Sequence, residues 1–214
     1  MNNVIKRREM YVIEKIFTYY LALPLVKLLS KTFITPNMVT ILNLILGIIT
    51  MILAWNNKLM IVAIFVLFYL LLDIVDGNLA RYTQKTSKLG AILDNLGDRF
   101  FYNGIIISIG INYVNIWIIL FTILVHNLHS ILATYYIVPN IRKLKQFKRF
   151  GIKRALFSKG IIFGMDLSLL DIIFVIAIVF GKIKISYYLI IILYSFDIIY
   201  RLIELKINMS LRDR

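Results

Sequence analysis

No cysteine occurs in the sequence, which excludes disulfides, thiolate metal sites and a cysteine nucleophile and leaves the redox compartment open. Three prolines and ten glycines are too few for a collagen-like or low-complexity chain. Acids are scarcer than bases, 11 Asp and Glu against 25 Lys and Arg, and charged residues of both signs make up only 17% of the 214 residues. A domain dissolved in water carries roughly a quarter charged residues, so this chain lacks the polar surface to cover a globule. Its 60% hydrophobic content excludes intrinsic disorder and directs the chain to a membrane. The net charge of +14 admits either nucleic acid or anionic lipid as a partner until the positions of the charges are considered.

A bilayer core takes about 20 apolar residues of helix. Six stretches meet or approach that length, at about 37 to 55, 60 to 80, 90 to 112, 115 to 137, 160 to 181 and 185 to 205. The expectation is an all-α integral membrane protein forming a single domain over 1–214, with the six-helix bundle at 35–206 and a short tail at 207–214. Before the first span, Tyr11 to Lys31 mix aliphatic residues and tyrosines with Glu14, Lys15, Lys27 and Lys31, and Pro24 interrupts them. Residues 1–34 therefore read as an amphipathic interfacial helix rather than a seventh span. A cleaved signal peptide is not expected, because the strongly apolar run begins only after Pro36. Thr35 and Pro36 are a good helix start, as N-cap and first helical position.

With the N-terminus cytoplasmic, 21 Lys and Arg fall on the inner side, and only Lys58, Lys182 and Lys184 fall in the outer loops. That asymmetry puts both termini inside a multi-pass cell-membrane protein. It also accounts for most of the positive charge without nucleic acid. Tyr113, Trp117 and Tyr135, at span ends, read as interfacial anchors.

The acids carry more information. Seven aspartates lie within or at the ends of apolar spans, where each costs about 2.5–3.5 kcal/mol near a helix centre unless it has a partner or a polar cavity. Four of them cluster: Asp73 and Asp76 are three residues apart near the cytoplasmic end of the second span, and Asp94 and Asp98 four apart near the start of the third. Both spacings put two carboxylates on one helix face, and the short link Tyr82 to Leu89 makes the two helices antiparallel neighbours. Four facing carboxylates call for two hard divalent cations, Mg2+ or Mn2+, arranged as in two-metal phosphoryl-transfer sites. Gly77 and Ala80 lie one turn beyond Asp73 and Asp76, and Gly90 one turn before Asp94, leaving room for a bulky ligand and for close helix approach. Arg81 can meet phosphate oxygens as a bidentate donor.

The run DIVDGNLARYTQKTSKLGAILDNLGD, Asp73 to Asp98, resembles the signature of the CDP-alcohol phosphotransferase (CDP-alcohol phosphatidyltransferase) family, and all eight defining positions are present with the family's spacing. The six-span layout and the N-terminal amphipathic helix are also similar to the family. The resemblance implies an enzyme that transfers a substituted phosphate from a CDP-linked alcohol to a hydroxyl and releases CMP. It implies metal ligation by Asp73, Asp76 and Asp94, with Asp98 as general base on the acceptor and also within reach of a metal. Asp73, Gly77, Ala80, Arg81 and Gly90 would line the nucleotide and pyrophosphate, with Arg81 holding the pyrophosphate, and the chain would form a homodimer.

A site at the inner membrane edge suits a donor with lipid tails and a water-soluble head, which CDP-diacylglycerol matches. The basic stretch between the fourth and fifth spans points to a phosphorylated acceptor such as glycerol phosphate or inositol phosphate, with Lys153, Arg154 and Lys159 nearest the fifth span. The same stretch also follows from topology and contact with anionic membrane lipids. A CDP-choline or CDP-glycerol type of transfer to a lipid or glycan acceptor stays open, as does, more distantly, a divalent-cation carrier.

Asp166 reads either as part of the acceptor pocket or as a partner for Arg99 or Lys159. Asp197 is expected to pair with Arg201 four residues on, and His126 and His129 are expected to pack or to hydrogen-bond between helices. Asn37 and Thr40 lie at the depth of the nucleotide, although capping and hydration also explain residues at this helix start.

Overall fold

The computed structural model describes residues 10–144, 147–157, 161–162 and 164–212. Its elements are α1 (Val12–Phe17), α2 (Leu23–Leu29), α3 (Pro36–Trp55), α4 (Leu59–Thr83), α5 (Lys88–Gly110), α6 (Ile116–Ile131), α7 (Val138–Lys143), α8 (Gly151–Phe157), α9 (Leu167–Val179) and α10 (Ile183–Arg212). A two-residue parallel pairing joins β1 (Met10–Tyr11) to β2 (Ile161–Ile162).

Each proline sits where its missing N–H does least harm. Thr35 caps α3 by accepting from the Met38 N–H, and Pro36 opens the helix. Pro24 and Pro139 stand just after π-helical turns, Thr18–Ala22 and Leu132–Ile137, whose closing bonds run from Leu23 N–H to the Thr18 carbonyl and from Val138 N–H to the Ala133 carbonyl. The widened turn relieves the clash and the lost bond that proline imposes on regular helix. One helical rod therefore runs through Pro24, and another carries α6 on through α7, past the expected end of the fourth span.

Among the described residues, Pro36–Trp55, Leu59–Thr83 and the Ile116–Lys143 rod are long and apolar enough to cross a membrane. Helix α5 spans 23 residues but carries Lys88, Asp94, Asp98 and Arg99, and α10 runs for 30 residues, well beyond the expected end of the sixth span. The largest departure from the sequence reading is the fifth span. Regular helix begins at Leu167 and lasts 13 residues, because Asp166 adopts an extended backbone and caps it by accepting from the Leu169 N–H at 3.2 Å. The chain ahead of it is partly extended and pairs with the N-terminal segment.

Helix α3 packs closely along both α4 and α5, while α4 and α5 meet through side chains such as Tyr69, Phe101 and Asp98. Glycines seven residues apart on α5 make this possible: Gly90, Gly97 and Gly104 face Asn37, Leu44 and Met51, and a Cβ at any of them would collide with its counterpart. The main core is shared by α4, α5, α6, α9 and α10 and includes the fully buried Tyr69, Phe101, Tyr102, Phe174, Tyr187 and Tyr194. A second core joins Ala22 and Val26 to Val39 of α3 and to Leu70, Ile74, Val75 and Leu79 of α4, fixing the N-terminal rod against the back of the aspartate-bearing helix. Outward faces stay apolar, with Ile41, Leu42, Ile45, Ile48 and Ile52 of α3 all exposed.

Candidate active site

The end of α4 and the start of α5 bring the aspartates together. Gln84 ends α4 in the left-handed conformation, and Ser87 caps α5 by accepting from the Gly90 N–H at 2.9 Å. Helical spacing then turns Asp73 and Asp76 toward Asp94 across the gap, and one carboxylate oxygen from each of the three lies within 4.8 Å of the other two. Three hard oxygen donors held this close, buried or half-buried, fit a divalent cation such as Mg2+ or Mn2+. Asp98 lies outside that triplet. It accepts from the Tyr69 hydroxyl at 3.2 Å, and Tyr69 is itself stacked on Phe101 with ring centroids 3.6 Å apart.

Thr40 of α3 donates to Asp76 Oδ2 at 2.7 Å. Asn37 accepts from the Ser87 hydroxyl at 3.1 Å, tying α3 to the start of α5. Space beside Gly90 is thus already taken by Asn37 and Ser87, whose side chains would stand 2.6 and 2.9 Å from an added Cβ. Gly90 thus lets α3 approach while also bordering open space, and the atoms nearest a Cβ at Gly77 belong to the flexible Arg81 head.

Two cavities flank the aspartates. The first, of about 160 Å³, is lined by Asn37, Thr40, Asp76, Gly77, Ala80, Arg81, Gly90 and Asp94, together with Lys85 and the 86–87 turn. It collects every motif position assigned to the nucleotide and pyrophosphate except Asp73. The second, of about 240 Å³, is lined by Asn95, Arg99, Tyr102, His126, Asn127, His129, Asp166, Tyr194, Arg201 and Tyr11 among others. Asp98 stands in its wall, and Asp76 and Asp94 in the wall of the first.

The residues expected to meet the acceptor divide differently. Asp166 lines the second cavity while capping α9. Lys153 is buried and donates to Asp197 Oδ1 at 2.8 Å, with its ammonium 4.3 Å from the Tyr200 ring centroid. Burial pushes the Lys153 ammonium below its ordinary pKa, against the opposing pull of Asp197. Arg154 lines a separate cavity with Phe147, Lys148, Arg149, Phe150 and Phe157. Lys159 lies outside the described residues.

Asp197 pairs with Arg201 as expected, at 2.6 Å, and also accepts from Lys153 and meets His129 at 2.9 Å. His126 contacts the Tyr194 hydroxyl at 3.1 Å, so both histidines make hydrogen bonds between helices. The sequence reading missed Tyr69, Tyr11 and the cavity-facing role of Arg201. For Arg201 the signal was present, an arginine at the end of an apolar run.

A sequence model of the family described as CDP-alcohol phosphatidyltransferase matches residues 33–183. No curated protein matches the sequence. Similar solved structures include Mycobacterium tuberculosis phosphatidylinositol phosphate synthase (PgsA1) in its apo form, at 19% identity over 85% of this chain and 94% of that chain, with TM-score 0.59. The same enzyme in complex with manganese and citrate is 18% identical over 86% and 88% of the two chains, with TM-score 0.61. With CDP-DAG bound it is 19% identical over 86% and 93%, again with TM-score 0.61. At such identities the likeness is one of fold.

Proposed function

The chain belongs to the CDP-alcohol phosphatidyltransferase family and is thereby a membrane transferase of substituted phosphate groups, and from that premise we propose that it moves a phosphatidyl group from CDP-diacylglycerol to the hydroxyl of a small alcohol or alcohol phosphate. The observation that carries this reading is the pair of cavities on either side of one carboxylate cluster. The donor's cytidine and pyrophosphate occupy the first cavity, where Gly77 and Ala80 leave room and Arg81 holds phosphate oxygens. Its lipid tails run along the outer faces of the bundle. The acceptor enters the second cavity, so its hydroxyl meets Asp98 from the side opposite the leaving group.

Asp98 takes the hydroxyl proton as the acceptor oxygen bonds to the phosphatidyl phosphorus, and the bond from that phosphorus to the CMP oxygen breaks. Tyr69 holds one Asp98 oxygen, leaving the other for the acceptor. Asp73, Asp76 and Asp94, with Asp98 as fourth carboxylate, would hold two divalent cations. When bound, these neutralise charge on the pyrophosphate and improve CMP as a leaving group.

The same reading takes the chain as one membrane domain of six spans preceded by an interfacial helix, with the site and both termini on the cytoplasmic side, and as a homodimer. The charge asymmetry supports the orientation, and the family resemblance supports the dimer. The reading is tested with purified protein, Mn2+ or Mg2+, and a panel of CDP-diacylglycerol, CDP-choline and CDP-glycerol donors. Glycerol phosphate, inositol phosphate, serine and diacylglycerol serve as acceptors, and products are identified by mass. CMP release from CDP-diacylglycerol with a small-alcohol acceptor is the expected result. Turnover only with CDP-choline or CDP-glycerol overturns the donor assignment, and release that survives exhaustive chelation overturns the metal assignment.

A further inference from the structure

The acceptor cavity has one wall that does not come from the transmembrane bundle. Tyr11 reaches it from the N-terminal segment, where Met10–Tyr11 pairs with Ile161–Ile162 just ahead of the Asp166 cap. There Arg201 Nη2 donates to the Tyr11 hydroxyl at 2.7 Å, while Arg201 Nε donates to Asp197 Oδ2 at 2.6 Å. The planar guanidinium is therefore held on two edges by partners from different parts of the fold, which fixes the direction it faces. Asp197 is held in turn by Lys153 and His129.

Gly164, in the link between β2 and α9, is shaped to this arrangement. A Cβ there would stand 2.8 Å from Asp197 Oδ1 and 3.0 Å from Arg201 Nη2. Burial raises the Tyr11 phenol above its ordinary pKa, so the neutral hydroxyl is the form that accepts from Arg201.

We propose that Tyr11 is a positioning residue for acceptor recognition: the N-terminal segment, docked on the chain before α9, aims the Arg201 guanidinium into the cavity beside Asp98. An acceptor head bearing anionic oxygens or several hydroxyls is the chemistry such a donor reads. The inference rests on the assignment of this cavity to the acceptor. It makes the N-terminal segment part of the substrate site rather than only a membrane anchor.

The experiment measures CMP release from CDP-diacylglycerol with Mn2+ while acceptor and donor concentrations are varied separately. Losing one hydrogen bond to a charged group, Tyr11→Phe is expected to raise the acceptor KM about tenfold, with donor KM and kcat changed less than about twofold. An unchanged acceptor KM, or a fall in kcat with both KM values intact, overturns the proposal.

A thermal-stability cycle of Tyr11→Phe and Arg201→Gln needs no turnover, and Arg201→Lys replaces the glutamine variant should it not fold. Coupled effects are expected, and additive ones overturn the pairing of the two side chains. Should the wild-type protein release no CMP with any acceptor, the functional reading fails and the recognition role with it. The stability cycle still decides whether Tyr11 holds Arg201.

Discussion

The two cavities beside the aspartate cluster are built in different ways. The side proposed for the donor comes mainly from two consecutive helices and the turn between them, with α3 wedged alongside, so helical periodicity turns the motif side chains to one place. The side proposed for the acceptor is assembled from α5, α6 with its π turn, α9, α10 and the N-terminal segment, whose members stand up to 190 positions apart in sequence. One side is set by local geometry and the other by packing. Substitutions should therefore act differently on the two: on the donor side through charge and metal affinity, on the acceptor side through the aim of side chains.

The largest effect is expected where the two sides meet. Asp98→Asn keeps shape but cannot take a proton, and general-base loss of this kind lowers kcat by about 10²–10⁴-fold. CDP-diacylglycerol binding, followed by titration with the labelled donor, should persist. Full turnover by this variant would falsify the base assignment. Next comes Thr40→Val, which removes the hydroxyl on Asp76 Oδ2 and leaves the shape. Partners of metal ligands change affinity by about 10–100-fold, so the Mn2+ concentration for half-maximal activity should rise within that range. An unchanged requirement would detach Asp76 from metal binding.

Tyr69→Phe tests the link between the sides. It removes the donor to Asp98 while keeping the stack on Phe101, and a fall in kcat of about tenfold is expected with both KM values near wild type. A change confined to thermal stability would make Tyr69 a core residue only.

What the sequence made legible follows the same division. Asp73, Asp76, Gly77, Arg81, Asp94 and Asp98 could be placed on facing stripes because spacing along a helix encodes direction. Thr35 and Pro36 announced the start of α3 through local capping chemistry, which needs no tertiary information. The acceptor side had no such code. Lys153 and Arg154 were singled out by nearness to the fifth span, yet Lys153 turns inward to Asp197 and Arg154 joins a different cavity. Their true surroundings depend on how α8 lies against α10, a matter of packing. The apolar run around Asp166 reads as part of a span; its capping of α9 shows that the helix begins there. Gly90 reads as room for a ligand and for helix approach; it lines the first cavity and also faces Asn37 of the neighbouring helix, a partner visible only once α3 and α5 are brought together.

The smallest expected effect is also the sharpest on acceptor chemistry. Asp166 has two roles in the structure, capping α9 and lining the second cavity. Asparagine caps a helix about as well as aspartate, so Asp166→Asn leaves α9 in place and removes only one negative charge from the cavity wall. With an anionic acceptor such as glycerol phosphate or inositol phosphate, losing that repulsion should lower KM by a few-fold, because the exposed mouth of the cavity weakens the charge interaction. With a neutral acceptor KM should stay put or rise, since a carboxylate that accepts hydroxyl hydrogen bonds has been weakened. Kinetics of this one variant against a charged and an uncharged acceptor would separate the two classes of substrate by the sign of the change. A variant with unchanged kinetics toward both would confine Asp166 to its helix cap.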